Sequence, residues 1–563
     1  MIKSSLLFIA IFFLVAKSVF AFDFNSPNNK FGIHLAQPHT EAIQQAANLV
    51  NSSGGDWGYI TLVMQENDRN TQKWQDIFDQ LRTLHLIPIV RLATTAEGEN
   101  WKRPTKNDVG SWVQFLNSLN WVIQNRYVIL FNEPNHGQEW GGVEDAQNYA
   151  DVTKELAQEL KNSNPDYFVM LAAFDASAPS SPPNFEDEYY FLQNVINRIG
   201  TDDFQKLFDG WASHSYPNPG FAGSALGSGR GTVRTYQWEI NTLKNFGISK
   251  NLPVFITETG WSADSLPRNT IANNLIEAFE NIWLPDPQVI AVTPFVLDYQ
   301  SPPFLGFSWR QQGSDAFYPQ YNAVQSLSKI KGKPKQIEKA EISADLPSQL
   351  VVNSSYHFHL TLKNLGESIF DRDQGYSFRL QGGTLGDYFF SDLKNIKPGM
   401  EVEVDLSLKT GEETGKKSVK VVLTNSANET IAESDWQVET KPLPELSFIV
   451  NLFPKLKTIG NDFEIQVFDK NEELVFDKTG VKVQNGSGML TDIQNIVLER
   501  PYRVVILKPY YLPRQTFVTF KDGENQAGFK AMLPLDFNQN GRLDSGDLLA
   551  LFKNFQLFKL LLP

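Results

Sequence analysis

The 563-residue chain carries 64 acidic against 50 basic residues, a formal charge of −14 that argues against nucleic acid or an anionic membrane surface as its main partner. It has no cysteine, so neither a disulfide framework nor a thiolate metal site can be built. At this length one hydrophobic core does not suffice, and three or four domains are expected.

The chain opens with Lys3, an unbroken apolar run over 6–16, and the small-residue sequence Val19-Phe20-Ala21. This pattern predicts a secretory signal peptide over 1–21, too short and wrongly flanked for a membrane anchor, and hence an exported protein, in the medium or at the cell surface. No second apolar run reaches spanning length, so no membrane span is expected after the leader is removed.

From 25 to 334, strand candidates alternate with helix candidates. The strands are predicted at 31–35, 59–64, 86–92, 127–131, 167–174, 210–214, 253–257 and 289–296. Helical periodicity occupies 71–84, 109–119, 144–160, 233–246 and 270–282. Eight such units in about 300 residues predict an α/β fold with a closed (β/α)8 barrel. An open doubly wound sheet would need a glycine-rich phosphate loop after the first strand, and none is present.

Two of these strands end alike. VILF runs into Asn132-Glu133-Pro134-Asn135, and PVFIT runs into Glu258-Thr259-Gly260-Trp261. A strand buried on both faces reads as a continuous apolar run, and parallel α/β folds place their chemistry at the carboxyl ends of such strands. Two glutamates brought to one rim are what glycoside cleavage needs: a proton for the leaving oxygen and a carboxylate opposite the oxocarbenium-like centre. Their environments must differ, with a cation such as Arg91 holding Glu258 ionised and apolar surroundings keeping Glu133 protonated. A separation of about 5 Å would serve covalent retention. Other polar residues ending strands are His34, Arg91, Asn132, Asp175, His214 and Tyr216; Asp175, with Ser177 close behind, also reads as a simple loop cap.

The Asn-Glu-Pro after the fourth strand, the His-Ser-Tyr after the sixth and the Thr-Glu-Thr-Gly-Trp after the seventh resemble clan A glycoside hydrolases, retaining cellulases, mannanases and β-glycosidases. The resemblance covers about 25–334 and implies Glu133 as acid/base and Glu258 as nucleophile, with no cofactor for catalysis. It also implies Asn132 at the sugar 2-hydroxyl, Arg91 and Tyr216 supporting Glu258, and His214 lining the subsite of an oligosaccharide or polysaccharide substrate. The clan commonly has a tryptophan closing the eighth strand; here Phe295 stands near that place, leaving Trp261 or Trp309 as the sugar platform. The aromatic content of 12% fits either such platforms or aromatic-rich cores. A catalytically dead, carbohydrate-binding barrel acting as an adhesin would not need both glutamates in intact motifs. Hydrolysis and transglycosylation share one covalent intermediate, so both are open to such a site.

After 334 helical periodicity gives way to alternation, which predicts an immunoglobulin-like β-sandwich over 336–441 and a second β-rich domain over 445–533, joined by the proline-marked Lys441-Pro442-Leu443-Pro444. His357 and His359 alternate on one strand and read as a solvated face, since no third ligand is evident. The tail, 534–563, holds a calcium-loop pattern. Asp536, Asn538, Asn540, Asp544 and Asp547 fall at positions 1, 3, 5, 9 and 12, with Gly541 at the turn and Arg542 lending its backbone carbonyl. Ca2+ is therefore expected there, followed by a helix over 548–555. The pattern resembles half of a dockerin repeat; a dockerin has two, which argues against a cohesin partner.

Overall fold

The computed structural model describes residues 23–563; the expected leader at 1–21 lies outside them. The chain divides between Ile337 and Glu338 into two compact units. In the first, eight parallel strands alternate with helices: β1 Gly32–Leu35, β2 Gly58–Gln65, β3 Leu86–Ala93, β4 Arg126–Leu130, β5 Tyr167–Leu171, β6 Trp211–His214, β7 Val254–Glu258 and β8 Val289–Val292. The helices that follow them in turn are α1 Thr40–Val50, α2 Thr71–Thr83, α3 Lys106–Asn117, α4 Ala146–Ser163, then α5 Glu188–Ile199 with α6 Thr201–Leu207. After β6, β7 and β8 come α7 Thr235–Asn245, α8 Arg268–Ala278 and α9 Pro319–Ser326.

Strands β1 to β5 form one ladder and β6 to β8 another. Phe31 bridges to Val292 and joins the first strand to the last. At the β5–β6 seam a side chain completes the pairing: Val169 N donates to Asp209 Oδ2 and Asp209 N donates to the Val169 carbonyl, both at 2.9 Å. Rings from both ladders meet inside. Phe255 of β7 lies 5.0 Å from Tyr127 of β4, 5.6 Å from Phe168 of β5 and 6.4 Å from Tyr59 of β2. Strands packed on both faces read as largely apolar runs, with polar residues such as His34, Arg91 and His214 near their carboxyl ends.

Helix and strand ends depart from the periodicity where local hydrogen bonds decide. α4 starts after Asp145, whose side chain accepts from Asn148 N at 3.0 Å, and not at Glu144. β5 ends at Leu171 because the Ala172 amide is taken by the Tyr149 hydroxyl at 2.8 Å and the Ala173 carbonyl by Glu133 N at 3.1 Å. β8 ends at Val292, short of the expected 296, and the chain after it turns so that Leu297 N donates to the His34 carbonyl.

The second unit is β-rich. Strands Ala340–Ala344, Ser355–Asn364, Glu401–Thr410 and Gly386–Phe390 form one sheet, and Gln349–Val351, Thr430–Lys441, Gly415–Thr424 and Ser377–Gly382 another; seven later strands form a third. One apolar cluster runs from Leu350 through Trp436 and Phe448 to Met532, across the expected joint at 441–445. Tyr356 donates its hydroxyl to the Ile496 carbonyl at 2.8 Å, and Ser355 N donates to Asn495 Oδ1 at 2.8 Å. His359 pairs across its exposed strand face with Asp405 at 2.7 Å, and His357 with Ser407 at 3.1 Å. An α-helix, α10 Ser545–Lys553, follows the acidic loop, and a short 3-10 helix, Phe555–Leu561, comes after it. No helix among the described residues is long and apolar enough to cross a membrane.

Candidate active site

The carboxyl ends of the strands gather the expected residues. Glu258 is the last residue of β7, preceded by four buried ones, so its side chain leaves the core at the rim. Arg91 Nη1 donates to Glu258 Oε1 at 2.6 Å and the Tyr216 hydroxyl donates to Oε2 at 3.0 Å. Arg91 Nη1 also donates to Asn132 Oδ1, so one guanidinium orients both residues. His34 Nε2 lies 3.6 Å from Oε1, and His214 Nδ1 3.8 Å from Oε2. Burial would raise the Glu258 pKa, but His214, Arg91 and the Tyr216 hydrogen bond outweigh it and hold the carboxyl at about 2. His34 is driven down to about 3 by burial, with both ring nitrogens lacking a hydrogen-bond partner, and stands neutral. The cations that act on Glu258 are therefore Arg91 and His214.

Glu133 is placed by an unusual turn. Phe131 has φ +75° and Glu133 φ +30°, a left-handed backbone that costs L-residues of order 1–3 kcal/mol unless the surroundings enforce it. Asn135 supplies that enforcement: fully buried, it donates to the Asp175 and Glu186 carbonyls at 3.0 and 3.1 Å and accepts from Asp175 N at 3.2 Å. Glu133 Oε1 sits 2.7 Å from His214 Nδ1. Burial opposes a charge on His214, yet Glu258 and Glu133 together raise its pKa.

Three further groups surround Glu133. His136 Nδ1 is 4.0 Å from its Oε2, while His136 Nε2 meets Asp175 Oδ2 at 2.9 Å. Burial opposes the pair, but hydrogen bonding and charge win, raising His136 and lowering Asp175. Asp175 also caps its loop, accepting from Ser177 N at 2.7 Å, so both readings of it hold. Glu139, on the short helical turn Gly137–Trp140, is pushed up to about 7 by burial and the Glu133 charge. Sequence reasoning missed His136 and Glu139; their position three and six residues after Glu133 was the available signal.

Trp261 does not line the opening as expected. It is 2% exposed and donates Nε1 to the Gly223 carbonyl at 2.7 Å, and Trp309 is also 2% exposed. A sugar platform needs an open ring face, and both rings are spent on the core.

In the tail, Asp536 accepts from Asn540 N and Gly541 N at 2.9 and 3.0 Å, and Asp547 from Asn538 N and Asp544 N at 3.1 and 2.7 Å. Asn538 Oδ1 and Asn540 Oδ1 accept from Asn540 N and Arg542 N, and Gly541 takes φ +81°. Asp544 caps α10. The donor set is all oxygen, the kind that a hard divalent cation takes.

No protein-family model matches this chain, and no curated protein does. Solved structures resemble it at low identity. One is a triple-mutant endo-β-1,4-glucanase from Xanthomonas axonopodis pv. citri, with TM-score 0.37 and 11% identity over 53% of this chain and 98% of that one. A β-mannanase from Thermomonospora fusca gives TM-score 0.36 and 13% identity over 54% of this chain and 90% of the other. An FMN-binding β-glucuronidase from Facaelibacterium prausnitzii gives 0.35 and 11% over 74% of this chain, which spans 56% of that protein. Identities this low leave the chemistry to be read from this chain's own side chains.

Proposed function

We propose that the first unit is a closed (β/α)8 barrel and a retaining glycoside hydrolase that cleaves β-linked glycans by double displacement. One observation carries the reading. Glu133 Oε1 and Glu258 Oε2 lie 2.7 and 3.8 Å from the same His214 Nδ1, so they cannot be farther apart than the sum, about 6.5 Å, the lower edge of the range for inversion. That limit is consistent with the close pair of carboxyl groups that direct attack by a carboxylate needs.

Glu258, ionised far below neutral pH, attacks the anomeric carbon as Glu133 passes its proton to the departing oxygen. Glu133 then takes a proton from a water whose oxygen attacks the anomeric carbon and displaces the Glu258 carboxylate, so the sugar leaves with its configuration retained. Arg91 and Tyr216 hold the attacking carboxylate in line, and Asn132, fixed by Arg91, is placed for the sugar 2-hydroxyl. The test is azide rescue with an activated aryl β-glycoside. Glu133→Ala should regain turnover in azide and yield the β-azide; Glu258→Ala should yield only an α-azide, if any product forms. A swapped pattern reverses the two roles, and wild-type rates in both variants place the site elsewhere.

We also infer export through the leader at 1–21, β-sandwich architecture for the later sheets, and a Ca2+ site in the tail. Asp536, Asn538, Asn540, Asp544, Asp547 and the Arg542 carbonyl would hold the ion, which on binding would clamp the loop to the start of α10. Calorimetry should show Ca2+ binding in the whole protein and its loss in Asp536→Ala, with glycosidase activity kept; unchanged binding in that variant rules the loop out.

A further inference from the structure

The loop after β8, residues 293–309, carries five aromatic residues, of which Phe295, Tyr299, Phe304 and Phe307 form a chain of ring contacts that begins near Glu258. They form a continuous wall leading outward from the attacking carboxylate. His34, 3.6 Å from Glu258, meets the Phe295 ring edge-on at 5.0 Å. Phe295 meets Phe304 at 5.3 Å and Phe307 at 5.9 Å, and Phe304 meets Tyr299 at 5.3 Å. Phe307 in turn touches Tyr216, the residue that donates to Glu258, at 5.9 Å.

Exposure rises along this wall. Phe295 and Phe307 are 9% and 8% exposed, whereas Phe304 is 39% exposed and Tyr299 half-buried. The open rings do not sit on a slack loop. Tyr299 N donates to Ser308 Oγ at 3.1 Å, Gly313 N to Gln300 Oε1 at 2.9 Å, Phe307 N to the Phe304 carbonyl at 3.0 Å, and Arg310 pairs with Asp298 at 3.3 Å. A large ring left open to water and braced on both sides is pre-organised for a ligand with an apolar face.

The carboxylate that the wall neighbours identifies the ligand. The nucleophile bonds the sugar that stays, and the acid/base protonates the part that leaves. The wall contacts Glu258 through His34 and Tyr216. The groups flanking Glu133, namely His136, Asp175 and Glu139, come instead from the loops after β4 and β5. We propose that Phe304, with Tyr299 beside it, is the stacking platform for a pyranose ring one residue beyond the cleavage point on the retained side, so that the enzyme prefers substrates with at least two linked sugars on that side and does not trim single terminal sugars. This rests on the retaining-glycosidase reading above. It gives the loop the task for which Trp261 and Trp309 have no open face.

The experiment compares 4-nitrophenyl β-glycosides carrying one or two β-linked hexoses in glucose, mannose and galactose series. The wild type should favour the two-sugar substrate in kcat/KM, and Phe304→Ala should lower that ratio about tenfold, the scale of one lost aromatic contact. Phe304→Leu, which keeps apolar bulk without a ring, should lower it similarly, and Phe304→Trp should restore it. An active wild type whose ratio is unchanged in Phe304→Ala overturns the platform alone. A wild type inactive on every aryl glycoside and on β-linked polysaccharides overturns the glycosidase reading and the platform with it.

Discussion

The surroundings of Glu258 and Glu133 treat the same residue type differently. On one side Glu258 is buried among the Arg91 guanidinium, the Tyr216 hydroxyl, a neutral His34 and His214, the last shared with Glu133. On the other, Glu133 is half-buried among that His214, His136 with Asp175, and Glu139 with its pKa near 7. A nucleophile must be ionised throughout, whereas an acid/base must gain and lose a proton in each cycle. The permanent Arg91 cation at Glu258, and the titratable His136, Asp175 and Glu139 confined to the Glu133 side, meet those two demands.

The largest break in this contrast should come from Arg91. Arg91→Leu removes a fixed cation from Glu258 and the brace on Asn132, and should cost about a hundredfold or more in kcat/KM. The sign with pH follows from a depressed carboxyl. With its pKa at about 2 the wild-type Glu258 stays ionised in mild acid; without Arg91 the pKa rises, so the loss should be deeper at pH 4–5 than at pH 7. A pH–rate profile of equal shape in both proteins would show that Arg91 does not set the charge of Glu258.

A smaller effect is expected on the titratable side. Asp175→Asn keeps the loop cap but weakens the hold on His136, whose pKa is raised in part by that carboxylate. The His136 ring resonances should then titrate at lower pH, and turnover of substrates with poor leaving groups should fall about tenfold, the scale of a hydrogen bond to a charged group. An unmoved His136 titration would show that the pair is not coupled.

The smallest effect concerns stability and lies outside the cleft. Glu188 and Glu239 are both fully buried, and burial followed by the neighbouring Glu239 raises the Glu188 pKa well above its ordinary value. A carboxyl with a raised folded pKa stabilises the fold at pH values below its unfolded pKa, near 4.5, and loses that contribution as pH rises. Glu188→Gln, neutral at every pH, should therefore melt about 2–4 °C above the wild type at pH 9 and match it near pH 4. Parallel melting curves across that range would remove the pair from the pH dependence.

What the amino-acid sequence determined by itself was whatever burial on both faces or local hydrogen bonding imposes. Strands buried on both faces must be largely apolar, so they were legible, as were the glutamates at or just past the ends of two of them. The α4 boundary was off because one Asp145 contact sets the cap. Tertiary structure alone decided which rings open to solvent. Trp261 and Phe304 differ in exposure, 2% against 39%, for reasons of packing that no periodicity records. It also decided that Asn135 and His136 both engage Asp175, 40 and 39 residues away, because the loops after β4 and β5 become neighbours only when parallel strands pair. In the same way His214 joins two glutamates, 81 and 44 residues away along the chain, at a single nitrogen.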